Sequence, residues 1–252
     1  MLIEIDGRSV LLDTGQTDLI FHNARALGVD LSQVDSIVLS HGHYDHTGGL
    51  CHLLEALPRK PQVFAHPDVF LNRYGCYEEG MRYLDPPCPK EQIERSGAIL
   101  RLSEGAQEIA PGLKTTGEVP RKTKYEDVGG PYYLDLDCEI PDPLRDDEAL
   151  VIDVPEGLIV CCGCAHSGVV NTLLHVQTLY PGKSVYTVIG GLHLRRATEE
   201  RLDSTISALT QMGLKRIIAG HCTGPLGLAR MATEMPDSFR PLFVGVRHRF
   251  GA

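Results

Sequence analysis

The sequence predicts an α/β fold in which mixed sheets are covered by helices. Three observations carry that expectation. Two short apolar runs, Leu2–Ile5 and Ser9–Leu12, flank a turn at Asp6–Gly7, the pattern of a strand hairpin. From Leu150 onward, strand-length and helix-length patterns alternate, which favours parallel strands with covering helices. The chain has 252 residues, 42% of them hydrophobic, enough to bury a large core without cross-links.

In order, Asp18 to Leu27 reads as a helix, with Thr17 as its cap and Gly28 just past its end. Ser36–Leu39 reads as a strand, Gly49 to Leu57 as a helix stopped by Pro58, and Val63–Ala65 as a strand. Residues 71–92 break the rhythm with Tyr74, Tyr77, Tyr83, Cys76, Cys88 and a Pro-Pro pair, and read as an irregular insertion or lid. Short strands follow near 98–102, 106–109 and 113–116. A polar stretch over 118–147 is a second candidate for loops at an active site. Then come strands at Leu150–Val154 and Leu158–Cys162, a helix over Val169–Leu179, a strand at Val185–Ile189, a helix over Glu199–Met212 and a strand at Arg216–Ala219. No repeat or linker divides the chain, so one domain over 1–252 is expected.

The charge balance excludes some partners. With 24 Lys+Arg against 33 Asp+Glu the formal net charge is −9 and no basic block is present, a poor match to nucleic acid. No apolar run reaches the ~20 residues of a membrane span. Met1–Asp6 lacks a basic segment followed by an apolar stretch, so no signal peptide is expected. The eight cysteines cluster rather than forming a spaced framework, which favours a reducing, cytoplasmic setting. Cys76 and Cys88 are a candidate pair or metal site. The expected partner is a small anionic molecule, which a metal can attract despite the net charge.

The chemistry concentrates in Ser40-His41-Gly42-His43-Tyr44-Asp45-His46-Thr47-Gly48-Gly49, directly after an apolar strand. Residues two apart do not share a helix face, so His41 and His43 must converge from a loop, with Asp45 and His46 at the start of the following helix. Three imidazoles and a carboxylate in this string suit two adjacent divalent metals, zinc first, with manganese, iron or magnesium as alternatives. The alternative, a solvated polar turn, fits such a string poorly.

This string resembles the metal-binding signature of the metallo-β-lactamase superfamily. Val10-Leu11-Leu12-Asp13-Thr14-Gly15 is similar to that family's early strand and the Asp that orients its histidines. An aspartic protease would need two apposed Asp-Thr-Gly copies, and only one is present. Thr116-Gly117-Glu118-Val119-Pro120-Arg121, Asp146-Asp147-Glu148-Ala149-Leu150, Gly163-Cys164-Ala165-His166-Ser167-Gly168, Gly190-Gly191-Leu192-His193-Leu194 and Gly220-His221-Cys222-Thr223-Gly224 resemble a subgroup of that family. The subgroup is named for 7,8-dihydropterin-6-yl-methyl-4-(β-D-ribofuranosyl)aminobenzene 5'-phosphate synthase.

The resemblance implies a four-layer α/β/β/α sandwich with two metals at one edge of the sheets. It implies a hydrolase acting on a small anionic ester or phosphoester, or the subgroup's transferase reaction. A binding or sensing protein that keeps its metals without turnover is the third reading. Two departures stand out: Glu118 where many members carry His, and Cys164-Ala165-His166 where many supply a bridging Asp. The match also starts at what should be the family's second strand region.

The implied ligands are His41, His43, Asp45, His46 and His221, joined by Glu118 and Cys164. Glu118 either ligates a hard cation or supports a ligand, and Cys164 is either a thiolate ligand or nucleophile or a small apolar residue. Asp45 and His166 are the candidate proton-handling residues, and His166 is read alternatively as a ligand or phosphate contact. His193 is a substrate contact or a turn residue, and Arg121 a phosphate clamp or an exposed loop residue. Asp13 orients the histidine loop. The Tyr residues of 71–92 and 118–147, including Tyr125, Tyr132 and Tyr133, are expected to border the site and stack on a flat substrate ring.

Overall fold

The computed structural model describes residues 1–251. In chain order its strands are β1 (Leu2–Ile5), β2 (Arg8–Leu12), β3 (Ser36–Val38), β4 (Gln62–Ala65), β5 (Tyr74–Tyr77), β6 (Gly80–Tyr83), β7 (Ile99–Leu102), β8 (Glu108–Ala110), β9 (Leu113–Thr115), β10 (Tyr132–Tyr133), β11 (Ala149–Val154), β12 (Gly157–Cys162), β13 (Val185–Gly191), β14 (Arg216–Gly220) and β15 (Phe239–Pro241). The α-helices are α1 (Leu19–Ala26), α2 (Tyr44–Thr47), α3 (Leu50–Ala56), α4 (Lys90–Arg95), α5 (Val169–Leu179), α6 (Glu199–Gln211) and α7 (Gly224–Glu234). No helix among the described residues is long and apolar enough to cross a membrane. The chain divides into two compact units.

The first unit comprises Met1–Glu104 and Pro131–Asp146. Its main sheet has the order β1-β2-β3-β4-β7, antiparallel at β1–β2 and parallel from β2 to β7. The inner strands β3 and β4 are buried along most of their length on both faces, with Ser36 and the half-buried Gln62 as their polar first residues. The edge strand β7 alternates exposed and half-buried residues. Ile37, Leu53, Val63, Val69 and Ile93 form the centre of this core.

The second sheet, β10-β5-β6, corrects the expectation of an irregular lid over 71–92. That stretch folds instead as the β5–β6 hairpin, with the start of α4 at its end. Its turn, Glu78-Glu79 leading into Gly80 at φ +123°, has none of the Asn-Gly or Asp-Gly chemistry that announces a hairpin. Tyr74 and Tyr83 face each other across it, ring centroids 5.6 Å apart, so these two rings pack with each other.

Two disulfides lie in this unit, Cys51–Cys88 and Cys76–Cys138, with Cα separations of 5.5 and 6.4 Å. The Cys76–Cys88 pairing is therefore wrong. Pairing half of the eight cysteines also removes the compositional argument for a reducing compartment. Cys161 and Cys162 are buried in β12 as small apolar residues, and burial pushes the Cys161 thiol up to about 12.

The second unit comprises Gly105–Gly130 and Asp147–Ala252. Its sheet has the order β15-β14-β13-β12-β11-β9-β8. The pairings from β12 to β15 are parallel and those from β8 to β12 antiparallel. Val160, Leu173, Val188, Leu202, Leu209 and Ile217 are fully buried, joining β12, β13 and β14 to α5 and α6. Thr198 caps α6 by accepting the Arg201 amide at 3.2 Å, with Glu199 and Glu200 in the first turn where the helix dipole favours acids. Helix α7, unforeseen from the sequence, starts at Gly224 with Pro225 in its first turn.

Candidate metal centre

In the first unit, β2, β3 and β4 run parallel, so their C-terminal ends share one sheet edge. Ligand sites in α/β sheets sit at such edges. Asp13 follows β2, Ser40 to His46 follow β3, and His66 follows β4. Asp13 takes a left-handed backbone at φ 60°, and its two oxygens then reach three groups. One accepts the Ser40 amide at 2.7 Å. The other accepts the Ser40 hydroxyl at 2.8 Å and lies 2.6 Å from His46 Nδ1. Burial alone would raise this carboxyl. The charge and hydrogen bond of His46, with the Ser40 amide, outweigh burial and hold it below the ordinary carboxylate range.

These bonds dictate where each imidazole proton sits. A carboxylate only accepts, so His46 carries its proton on Nδ1 and Nε2 is its acceptor nitrogen. The Ser40 hydroxyl spends its proton on Asp13, so His41 Nδ1, 3.0 Å away, donates to that oxygen. His41 Nε2 is then also an acceptor nitrogen, and it lies 3.1 Å from His43 Nδ1. Metal–nitrogen bonds of about 2.0–2.1 Å at a tetrahedral angle separate two ligand nitrogens by about 3.4 Å. The His41–His43 pair therefore has the spacing of two ligands on one cation. The three rings are in contact, with centroids 4.7 Å apart for His41–His43 and 4.2 Å for His41–His46. Asp45 is half-buried, 3.6 Å from His46 Nε2. Tyr132 lies 4.9 Å from the His43 ring.

Gly42, between the two histidines, is held from behind. Its amide donates to Asp146 Oδ2 at 2.7 Å. Asp146 Oδ1 receives Arg73 Nη2 at 2.7 Å, and Arg73 Nε donates to Asp142 at 2.6 Å. All three charged side chains are buried. Burial raises the Asp146 carboxyl above its ordinary value, and Arg73 only partly offsets this. A Cβ on Gly42 would lie 2.1 Å from Arg73 Nη1 and 2.3 Å from the Val69 carbonyl oxygen, so only glycine fits here. Arg73, Asp142 and Asp146 escaped sequence reading, because nothing in the spacing of an arginine and two distant acids marks them as partners.

In the second unit, β12, β13 and β14 are parallel and again present their C-terminal ends along one edge. The loop after β12 carries Cys164 and His166, that after β13 carries His193, and that after β14 carries His221 and Cys222. Ala165, His193 and His221 have φ values of 57°, 46° and 51°, conformations that non-glycine residues rarely adopt outside functional sites. The His166 and His193 rings stack with centroids 4.0 Å apart. Ligand atoms of Cys164, His193 and Cys222 all lie within 4.8 Å of one another. Burial opposes ionisation of Cys222, but hydrogen bonds with Cys164 and His193 and the nearby His193 and His221 imidazoles hold its thiol well below the ordinary value.

The segment 118–130 belongs to this unit and is fastened to the start of α5. Glu126 accepts the Val170 and Asn171 amides at 2.9 and 2.8 Å, where the helix dipole favours a carboxylate. Asn171 Oδ1 accepts the Lys122 and Thr123 amides. Arg121 donates to the His166 carbonyl at 2.8 Å. His166 Nδ1 donates to the Val128 carbonyl at 2.8 Å, which makes Nε2 the acceptor nitrogen of that ring. Glu118 is half-buried just beyond β9.

Burial raises the Glu126 carboxyl above its ordinary value despite these bonds. The folded chain therefore holds this proton to higher pH than the unfolded chain, and Glu126 loses stability as pH rises through that interval. Glu126→Gln is expected to flatten the decline in stability as pH rises above the ordinary carboxylate range, as read by urea titrations. Parallel curves for the two proteins would refute it.

The family model of the metallo-β-lactamase superfamily matches residues 1–221. The chain belongs to that superfamily. A relative from Methanocaldococcus jannaschii, named 7,8-dihydropterin-6-methyl-4-(β-D-ribofuranosyl)-aminobenzene-5'-phosphate synthase, is 33% identical over 255 aligned residues, covering 97% of this chain and 86% of its own. A solved structure described as a metal-dependent hydrolase of the β-lactamase superfamily superimposes with a TM-score of 0.84 at 24% identity, covering 100% of this chain and 91% of that one. Zn²⁺-bound PqqB from Methylobacterium extorquens gives a TM-score of 0.59 at 14% identity, covering 97% and 85%. These likenesses establish the metallo-β-lactamase fold with its mixed sheets.

Proposed function

We propose that this chain is a metal-dependent transferase that joins a dihydropterin, activated as its pyrophosphate, to an aminobenzene ribofuranoside phosphate. The observation that carries a metal role is the His41–His43 nitrogen pair at 3.1 Å, with the His41 proton directed away onto Ser40, which is itself held by Asp13. The choice of reaction rests on the 33% identity over nearly the whole chain to a synthase of that kind. In this reading His41, His43, Asp45 and His46 are the metal ligands of the first unit, a donor set of imidazoles with one carboxylate that suits zinc, iron or manganese. Bound divalent metals would neutralise the pyrophosphate as it leaves.

The chain's own groups do the rest. Asp13 and Ser40 fix the tautomers of His46 and His41. Asp45 accepts the proton that the attacking amine gives up. In the second unit, His166 offers Nε2 as an acceptor nitrogen, with Arg121 fixing the loop that carries it. The Tyr132 ring beside His43 presents an aromatic face to a flat heterocycle.

Hydrolysis of a small anionic ester or phosphoester is the second reading, favoured by the fold shared with the metal-dependent hydrolase. The two differ in nucleophile, an arylamine in the first and water in the second. The test supplies metal-loaded protein with the dihydropterin pyrophosphate, with and without the arylamine. Coupled product with pyrophosphate release supports the transferase. Pyrophosphate release that ignores the amine supports the hydrolase, and no metal-dependent turnover on either substrate or on an ester panel sinks both.

A further inference from the structure

We propose that Cys164, His193 and Cys222 form a thiolate–imidazole site in the second unit for a borderline cation of the zinc class. The inference goes beyond the reading above and uses no donor of the first unit.

The geometry comes first. One sulfur, one imidazole nitrogen and a second sulfur lie within 4.8 Å of one another, each from a different strand end. Zinc–sulfur bonds of about 2.3 Å and zinc–nitrogen bonds of about 2.0 Å place tetrahedral ligand atoms roughly 3.3–3.8 Å apart, so small side-chain rotations close this set on one ion. Two sulfurs and one nitrogen select zinc over magnesium or calcium, and three protein ligands leave a fourth position for water or a substrate atom.

The backbone has also been shaped around these three residues. Ala165 beside Cys164, His193 itself and His221 beside Cys222 each hold a positive φ, so every loop of the triad contains a residue in the left-handed region. Two glycines make room. A Cβ on Gly191 would lie 2.5 Å from Cys222 Sγ, and one on Gly129 would lie 1.9 Å from the His193 ring. At Gly129 the obstruction is the His193 ring, and at Gly191 it is Cys222 Sγ together with the Gly163 carbonyl oxygen, also 2.5 Å away. Cys161 and Cys162, three and two residues before Cys164, show the contrast: they are buried in β12 and occur in no such group with an imidazole.

The assignment turns His193 from a substrate contact into a ligand, and explains why two thiols occur at loop positions facing one imidazole. It also predicts sulfur ligation from a protein whose other candidate ligands are nitrogen and oxygen.

The test is titration of metal-free protein, both disulfides intact by mass, with Co²⁺ as the optical probe for zinc. Thiolate ligation gives an intense near-ultraviolet charge-transfer band, and nitrogen or oxygen ligation does not. The band is expected in the native chain and in His41→Ala/His43→Ala. It should be lost or strongly reduced in Cys222→Ser and in Cys164→Ser. A second measurement guards against misfolded variants: in the native chain, Zn²⁺ should slow alkylation of Cys164 and Cys222 while leaving Cys161 and Cys162 unchanged. Cobalt binding without a thiolate band, a band unaltered by Cys222→Ser, or alkylation indifferent to Zn²⁺ each overturns the proposal. Retention of the band when His41 and His43 are gone keeps its fate separate from that of the proposed transferase.

Discussion

Arg73→Met is expected to cost about 3–5 kcal/mol, because it strips the cation from a buried charge cluster and leaves its partners unpaired. Asp142 and Asp146 are both buried, and each receives one guanidinium bond. Methionine fills comparable volume but donates nothing, so one or both acids must take up a proton or draw in water. For a chain of this size the loss corresponds to a fall in Tm on the order of 10 °C. Because Asp146 also holds the Gly42 amide, the turn between His41 and His43 loosens at the same time. Adding Asp142→Asn and Asp146→Asn to Arg73→Met should recover part of the stability, since neutral amides cost less to bury. Chemical denaturation measures both. A loss under about 1 kcal/mol for Arg73→Met would show that the cluster is solvated, contrary to its burial.

Asp13→Asn is expected to weaken divalent-metal affinity by roughly 10- to 100-fold with little change in fold. The amide oxygen can still accept the Ser40 amide. Its NH₂ group, however, would face His46 Nδ1 and favour the tautomer with the proton on Nε2, which turns the metal-binding nitrogen into a donor. Asp13→Ala should match it in direction and also lose the Ser40 contact. Metal content after dialysis, with chelator competition for affinity, reads the outcome. Unaltered affinity in both variants would mean that the His41–His46 loop does not hold the metal.

What was legible in the sequence was what lies close together along it. The Ser40–Gly49 string is contiguous, so its set of imidazole and carboxylate donors and its place at a strand end could be read directly. The long runs of β12, α5 and α6 were legible because burial on two faces, or on one helical face, leaves a periodic trace. Groupings assembled by the fold left no such trace. Cys164, His193 and Cys222 stand on three loops, and only the parallel order of β12, β13 and β14 brings their strand ends to one edge. Arg73 reaches Asp142 and Asp146 across roughly seventy residues, a separation at which spacing carries no information. The disulfide partners failed for the same reason, since connectivity depends on which loops meet.

The parallel arrangement in the second unit has an evolutionary consequence. Each of β12, β13 and β14 delivers its own polar residues from a separate loop, while the strands beneath are filled with interchangeable aliphatic side chains. A codon change in one loop can therefore exchange carboxylate for thiol, or thiol for imidazole, without rewriting the scaffold or the other loops. Chemistry can drift one ligand at a time on such a frame, and a lineage can sample new ions and new reactions while every intermediate still folds.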